Sequence, residues 1–452
     1  MARCQKSFKI CVSNDIIILI GVDIMSRNTM KDLRNTFIYQ VYSRNHNESG
    51  TFKEFISDLD RIKKLGVDIV YLLPIHEIGQ IQKKGDLGCP YSIRDFRSIN
   101  HEYGTLEDFK EVIKEVHNRD MKLMIDVVYN HTSYDSVLLK KHPEYFYKNN
   151  KGEFANRVGD WWDITDFDYS NSKGLKEELI DTLVYWSNLG VDAFRWDVAS
   201  LLPFDFIEEA HNKVLHSNPD TIFLSESVHG GFLRYLRSEG FDALSESEIY
   251  QVFDMAYDYD VHPYFEGYLK GEMPLRRYLE ALILQEEIYP DNYIKMRNLE
   301  NHDFGRFSPM VNNDESLINN WTAFTFFSKG STMIYAGQER CDNNKPSLFD
   351  IDKVNWKGKD ISPLITKCAS IVKHKIFAYG YYDIKLYDKD IYFGEYTHDS
   401  KKVIGIFNLG KETGFIEVNI PDGTHINKLT GKEVRILDSK LELSLEPIIL
   451  WV

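Results

Sequence analysis

The sequence predicts an α/β protein, a parallel (β/α)8 TIM barrel followed by a C-terminal antiparallel β-sandwich. Short apolar runs alternate with stretches of helical period from about residue 37 to residue 336. Several of these runs end in a charged or polar residue, as strands feeding one active face would. After about residue 378 the pattern changes to short strands separated by turn signals such as Asp422-Gly423 and Thr430-Gly431. A doubly wound sheet is the alternative, but it needs a glycine-rich phosphate loop after a strand, and none occurs.

Taken in order, residues 1–36 match no barrel element and read as an N-terminal extension, partly disordered. Their apolar run, residues 16–20, lies between Asp15 and Asp23. It is too short to span a membrane and makes a poor signal peptide, so a cytoplasmic location is expected. Strands are expected at 37–42, 67–73, 121–128, 192–197, 221–225, 241–244, 294–299 and 332–335. Helices are expected between them: 52–65, with apolar residues at Phe52, Phe55, Ile56, Leu59 and Ile62, then 106–116, 175–189, 206–215 and 317–327. The polar, aromatic stretch 132–172 is long for a connection and reads as a small inserted subdomain after the third strand. Domain boundaries follow at 37–377 for the barrel and 378–452 for the β-domain.

Composition bounds the function. A chain of 452 residues with 43% hydrophobic and 27% charged residues is a soluble globular protein of more than one domain. The net charge of −15 argues against a nucleic-acid partner. The five cysteines (Cys4, Cys11, Cys89, Cys341, Cys368) are scattered and include no CxxC, so no disulfide framework is expected. Aromatic residues make up 13% of the chain. Aromatic faces stack on sugar rings, but they are also ordinary core material.

The chemistry lies at the strand ends. Residues i and i+2 of a strand face the same way, so Arg195 and Asp197 project together and Trp196 faces opposite. A permanent cation beside Asp197 should depress its pKa and keep it a carboxylate, as a nucleophile requires. Taken alone, the pair reads equally well as a structural ion pair. The third strand adds Asp126, Asn130 and His131, the fifth Glu226, and the seventh His302 and Asp303. Glu226, at the end of an apolar strand among other carboxylates, should have a raised pKa, as a general acid requires.

Four ordered segments, Asp126-Val127-Val128-Tyr129-Asn130-His131, Phe194-Arg195-Trp196-Asp197, Phe223-Leu224-Ser225-Glu226 and Glu300-Asn301-His302-Asp303, resemble the signature regions of the α-amylase family of retaining glycoside hydrolases. Tyr91-Ser92-Ile93-Arg94-Asp95-Phe96, Ile164-Thr165-Asp166-Phe167-Asp168 and Met333-Ile334-Tyr335-Ala336-Gly337-Gln338-Glu339 resemble smaller motifs of the same family. The resemblance implies Asp197 as nucleophile, Glu226 as general acid/base and Asp303 as transition-state stabiliser. It further implies that Arg195 orients Asp197, that His131 and His302 bind sugar hydroxyls, that Tyr91 is the platform under the sugar, and that Asp126 supports the site from behind. The implied substrate is an α-1,4-glucan or maltooligosaccharide, with transglucosidase or isomerase chemistry as the alternative and a non-catalytic glycan-binding homologue the least favoured. No cofactor is implied for the chemistry. Many family members hold a structural calcium, and the matching positions are Asn130 and Asp166, both hard oxygen donors; the alternative is an Asn130 that only hydrogen-bonds the loop.

The chain also departs from the family pattern. A Lys-His pair often follows the nucleophile to bind sugar beyond the cleavage point, and Ser200 and Leu201 stand there instead. Exo-acting α-glucosidases of the family often carry an aspartate where this chain has Gly88, which leans toward an open cleft. Trp161 and Trp162 in the inserted subdomain are candidates for stacking on a glucan, with a core role for one of them the equal alternative.

Overall fold

Eight parallel strands close into a barrel in the structure, a computed structural model that describes residues 7–13, 16–22, 27–158, 161–170 and 173–452. They are β1 (Phe37–Val41), β2 (Ile69–Leu72), β3 (Lys122–Val127), β4 (Ala193–Trp196), β5 (Ile222–Ser225), β6 (Met255–Tyr257), β7 (Lys295–Arg297) and β8 (Ser331–Tyr335). Each pairs in parallel with the next, and β8 pairs with β1 to complete the circle. Both faces of such strands are covered, so they read as near-continuous apolar runs rather than alternating ones. Every residue of β1 and β4 is buried. The register sets Asp126 of β3 directly opposite Arg195 of β4, and this pairing founds the site described below.

The helices follow local signals. Thr105 caps Leu106–His117 in a capping box with Asp108, and Phe109, Val112, Ile113 and Val116 form the buried stripe. Thr51 caps Phe52–Lys64 by accepting from the N–H of Glu54.

The expected sixth strand at 241–244 is not a strand. Its N–H groups are used elsewhere: Phe241 donates to the Leu236 carbonyl at the end of a helix, and Leu244 donates to the Ser200 carbonyl. The sixth strand is Met255–Tyr257, three residues bracketed by Asp254 and Asp258. Two short apolar runs compete within this stretch. Only the second has its backbone beside β5 and β7.

The barrel's packing begins before residue 37. Arg27 pairs with the buried Asp254 at 3.2 Å, its guanidinium 4.7 Å from the Phe223 ring, and Thr29 donates to the same carboxylate at 2.8 Å. Asp254 in turn accepts from the N–H of Phe223 on β5. The buried Arg34 donates to the carbonyls of Asp291, Tyr293 and Ala378. Residues 27–35 therefore brace the barrel rather than standing apart from it. Further upstream, Ser7–Ser13 and Ile16–Val22 pair as an antiparallel hairpin. The rest of the expected disordered extension lies outside the described residues.

Between β3 and the helix Lys173–Asn188, the inserted segment forms the hairpin His131–Ser133 with Ile164–Asp166 and the short helix Val137–Lys141. The C-terminal region forms two four-stranded antiparallel sheets. β9 (Tyr381–Lys385), β10 (Ile391–His398), β11 (Lys401–Asn408) and β16 (Ile448–Trp451) make one, in the order β9-β10-β11-β16. β12 (Phe415–Glu417), β13 (Gly423–Ile426), β14 (Glu433–Leu437) and β15 (Lys440–Glu442) make the other, in the order β12-β15-β14-β13. Ile391, Phe393, Ile404, Ile416, Ile436 and Leu450 fill the space between them, as in a sandwich. The first sheet rests on the barrel through Phe327, whose ring packs against Tyr396 and Phe407. Gly405 permits that approach, since a Cβ there would stand 2.9 Å from the Phe327 ring.

Replacing Arg34 by Met would leave buried carbonyls of Tyr293 and Ala378 without their donor. The expected cost is about 3 kcal/mol, read as a lower midpoint of urea denaturation.

Candidate active site

The mouth at the C-terminal end of the strands is built around Arg195, which is 0% exposed. Its Nη1 donates to Asp126 Oδ1 at 2.6 Å and to Asp197 Oδ1 at 2.7 Å. Its Nη2 lies 2.9 Å from Glu226 Oε1. The rings of Tyr257 and Tyr91 flank the guanidinium at 5.3 and 5.7 Å. One cation from β4 thus serves carboxylates from three adjacent strand ends. Strand order makes this arrangement local, because β3 and β5 are the two neighbours of β4.

Asp126 is fixed from behind as well as by Arg195. Its Oδ2 accepts from Tyr71 at 2.6 Å and from Tyr91 at 3.1 Å. The Tyr91 hydroxyl also meets His302 Nε2 at 2.7 Å, and the two rings stack with centroids 5.4 Å apart. His302 is held from its other side by Gln40 of β1. The backbone N–H of His302 donates to Gln40 Oε1, so the Gln40 amide nitrogen is the group facing Nδ1, at 3.1 Å. Nδ1 therefore accepts, and Nε2 carries the proton. Burial pushes the His302 pKa down to about 3, with Arg195 adding to the effect. His131, buried and hydrogen-bonded to the Tyr91 backbone, is likewise pushed down to about 3 by burial. Both imidazoles are neutral, as suits groups that hydrogen-bond sugar hydroxyls.

Asp303 stands at the rim, its side chain 41% exposed and its Oδ2 3.3 Å from His302 Nε2. Asn301 sets its backbone by accepting from the N–H groups of Asp303 and Phe304, and Lys345 donates to its carbonyl at 2.8 Å.

The electrostatics correct one expectation. Asp197 is not held at a depressed pKa in the free site. Burial raises it, Arg195 opposes that rise, and Glu226 and Asp126 raise it further. The single guanidinium is divided among three buried carboxylates, so its pull on Asp197 is opposed by burial and by the other two. Glu226 is raised as expected, by burial first, against Arg195 and with a contribution from Asp303. Asp197 and Glu226 meet the same guanidinium, Asp197 at Nη1 and Glu226 at Nη2. Burial thus pushes both carboxyls the same way, upward, against the pull of Arg195.

The residues matching the calcium positions do meet. Asn130 Nδ2 lies 3.5 Å from Asp166 Oδ1, and Asp166 Oδ2 accepts from the N–H of Arg157 at 2.7 Å. The Asn130 amide thus turns its nitrogen to the carboxylate, and both oxygens of Asp166 already face N–H donors. Among the described residues no group of three or more His, Cys, Asp or Glu side chains could hold a metal ion; calcium takes about six to eight oxygen ligands, of which Asn130 and Asp166 would supply the side-chain share.

The family departures acquire physical reasons. Ser200 is buried, its hydroxyl near the N–H of Val228 and its carbonyl bonded to Leu244, so it braces the loops rather than facing sugar. Gly88 has φ +84°, and a Cβ would stand 2.7 Å from Ile78, so no aspartate fits there without rearrangement. Trp162 is 52% exposed, with Lys84 5.6 Å from its ring centroid, whereas Trp161 packs near His131.

Gln40, Tyr71 and Lys345 also belong to the site, although no sequence motif singles them out. Gln40 left a signal, as the polar residue within the apolar run of β1. Tyr71 and Lys345 left none, since a tyrosine in a strand and a lysine in a loop are commonplace.

A closed (β/α)8 barrel with paired buried carboxylates, neutral histidines and a third carboxylate at its C-terminal mouth defines a class: barrel enzymes of glycosidic-bond chemistry. Comparison with known proteins gives the family. The chain belongs to the α-amylase family, whose catalytic-domain model matches residues 36–162 and 147–370, while the bacterial α-amylase C-terminal domain matches residues 383–450. The crystal structure of an α-amylase from Lactobacillus plantarum is 40% identical, covers 94% of this chain and 100% of its own, and superposes with a TM-score of 0.91. A noncanonic maltogenic α-amylase from Thermotoga neapolitana is 31% identical, with 93% and 99% covered and a TM-score of 0.82. Among curated relatives, an alpha-1,4-glucan:maltose-1-phosphate maltosyltransferase from Picrophilus torridus is 26% identical over 85% of this chain, which spans 62% of that enzyme's length.

Two outcomes are expected at Asp166. Dialysis against EDTA should leave the melting temperature unchanged within about 1 °C; a larger fall would reveal a structural metal. Burial raises the Asp166 pKa to about 6 from 3.8. A carboxyl raised on folding costs stability as pH climbs through that window, because the unfolded chain releases the proton first. Asp166→Asn should therefore gain stability relative to the parent between pH 4 and pH 7, by up to about 3 kcal/mol, measured by denaturation at each pH.

Proposed function

We propose that the protein hydrolyses α-1,4-glucosidic bonds of starch, glycogen or maltodextrins with retention of configuration, through a covalent glucosyl-enzyme intermediate on Asp197. The observation that carries this is that Asp197 and Glu226 meet the one guanidinium of Arg195. Retaining enzymes keep their two carboxyl groups about 5–5.5 Å apart, whereas inverting ones leave room for a water between them at about 6.5–9.5 Å. Carboxyls that touch the same guanidinium favour the closer geometry.

In this reading Arg195 holds Asp197 Oδ1, and Oδ2 attacks the anomeric carbon. Glu226 donates its proton to the departing oxygen, then deprotonates the water that releases the sugar. Tyr91, fixed at its hydroxyl by Asp126 and His302, gives the sugar a rigid face. Asp303 adds negative charge at the rim, beside the oxocarbenium-like centre. The net charge of −15 suits a neutral substrate. Among the described residues no helix is long and apolar enough to cross a membrane.

Transglycosylation is the second reading, in which a sugar hydroxyl replaces water. Two observations favour it: the maltosyltransferase relative and the absence of the Lys-His pair at Ser200 and Leu201.

Incubation with starch, pullulan and maltotriose in parallel separates these readings. Hydrolysis releases shorter chains whose new reducing ends are α-configured when followed by proton NMR at early times; transglycosylation yields chains longer than the substrate. Asp197→Asn and Glu226→Gln should each reduce kcat/KM on maltooligosaccharides by about 10⁴-fold or more. Undiminished turnover by Asp197→Asn would refute the assignment.

A further inference from the structure

Val198, the residue after the nucleophile, has φ 39° and ψ 43°. Left-handed backbone is uncommon for residues with a Cβ and an outlier for a β-branched one. Among the described residues, Val198 is the sole β-branched side chain at positive φ. The conformation aims two successive amides at one residue. Val198 N–H donates to Glu226 Oε2 at 2.7 Å, and Ala199 N–H donates to the Glu226 carbonyl at 3.1 Å. The N–H of Glu226 in turn donates to the Trp196 carbonyl at 3.0 Å. A 3-10 turn, Ala199–Leu201, closes behind the strained residue. Strain held by surrounding bonds and sited beside a reacting group is a sign of function.

We infer that the peptide N–H of Val198 is a positioning donor for the acid/base: it holds Glu226 Oε2 as an acceptor, leaves the transferable proton to Oε1, and stabilises the carboxylate formed when that proton departs. The inference rests on Glu226 being the acid/base. Oε1 is the oxygen without a main-chain donor, and it lies 2.9 Å from Arg195 Nη2 at the mouth of the site. In the first step the Oε1–H bond breaks and an O–H bond forms on the departing glycosidic oxygen. That oxygen keeps the electron pair of the broken C1–O bond while Asp197 bonds C1. In the second step Oε1 takes a proton from water as the water oxygen bonds C1 and the C1–Asp197 bond breaks. A backbone dipole has no rotamer to reorganise, so it meets the developing charge in place.

The charged and titratable groups facing Glu226 are Arg195 and Asp197 from β4, Asp126 from β3, Asp303 after β7, and the phenols of Tyr257 and Tyr259 at β6. Burial and Asp303 push the Glu226 carboxyl up, while Arg195 and the Val198 N–H pull it down. Removing the N–H alone should therefore raise it.

The test replaces the amide of Val198 by an ester in the full-length protein, by incorporating the α-hydroxy analogue of valine, which deletes the N–H and keeps the side chain. The alkaline limb of the kcat/KM profile on maltooligosaccharides, which reports loss of the acid's proton, should move up by about one pH unit. A 4-nitrophenyl maltooligoside, whose leaving group needs no protonation, should lose far less rate. Val198→Gly keeps both the N–H and the left-handed backbone, so its alkaline limb should stay in place. An unmoved limb in the ester protein, or an equal shift in Val198→Gly, overturns the proposal. Infrared titration of the carboxylic-acid band that disappears in Glu226→Gln gives the same readout without substrate: an upward shift in the ester protein supports the donor role, and an identical titration overturns it. A parent protein that leaves α-glucans intact while this band still shifts would refute the substrate assignment and leave the donor role standing.

Discussion

A single buried guanidinium organises the molecule's chemistry. Arg195 sits in the barrel interior with no exposure and contacts carboxylates from β3, β4 and the end of β5. Burying a cation is costly unless it is paired, and burying three carboxylates around one cation overcompensates it. Burial pushes all three carboxyls upward and Arg195 pulls each of them down, so the one cation sets the balance for the whole cluster. Removing the cation would leave Asp126, Asp197 and Glu226 crowded together without compensation, so the site and the local barrel stand or fall together.

The rest of the barrel holds this cluster still. Tyr71 and Tyr91 fix Asp126, and Gln40 sets the tautomer of His302. Behind the acid, the Ser227 hydroxyl donates to Glu246, which pairs with the buried Lys295 of β7. Lys295 also reaches Asp260 and the Tyr257 carbonyl, tying the loop after β5 to β6 and β7. Arg27 and Thr29, far upstream in the chain, fix Asp254 and through it the backbone of β5. Groups that never touch a substrate thus place the few that would, and pre-organisation of this kind is what makes fixed charges effective.

Much of the fold was legible in the chain because its signals are local. The caps at Thr51 and Thr105, the helical stripes behind them and seven of the barrel strands follow from short-range patterns. The strand-end groups Asp126, Arg195, Asp197, Glu226, His302 and Asp303 were legible for the same reason, since a barrel delivers such positions to one mouth. The sixth strand was not, because two short apolar runs competed and the choice between them depends on neighbours distant in sequence. Nor was the role of residues 27–35, whose partners Asp254, Tyr293 and Ala378 come from elsewhere in the fold.

The amino-acid sequence by itself determined the barrel class, the carboxylate set and the family pattern, because each depends on residue type, period and order along the chain. Tertiary structure decided how charge is distributed. Arg195 beside Asp197 looked like a private ion pair, and a private pair would have depressed the aspartate. Only the register that sets Asp126 opposite Arg195, and the strand order that brings Glu226 alongside, shows the cation shared three ways and the aspartate pushed upward. The left-handed turn at Val198 likewise has no signature in its side chain. Its effect is visible only in the fold, where the Val198 N–H reaches the Glu226 carboxyl.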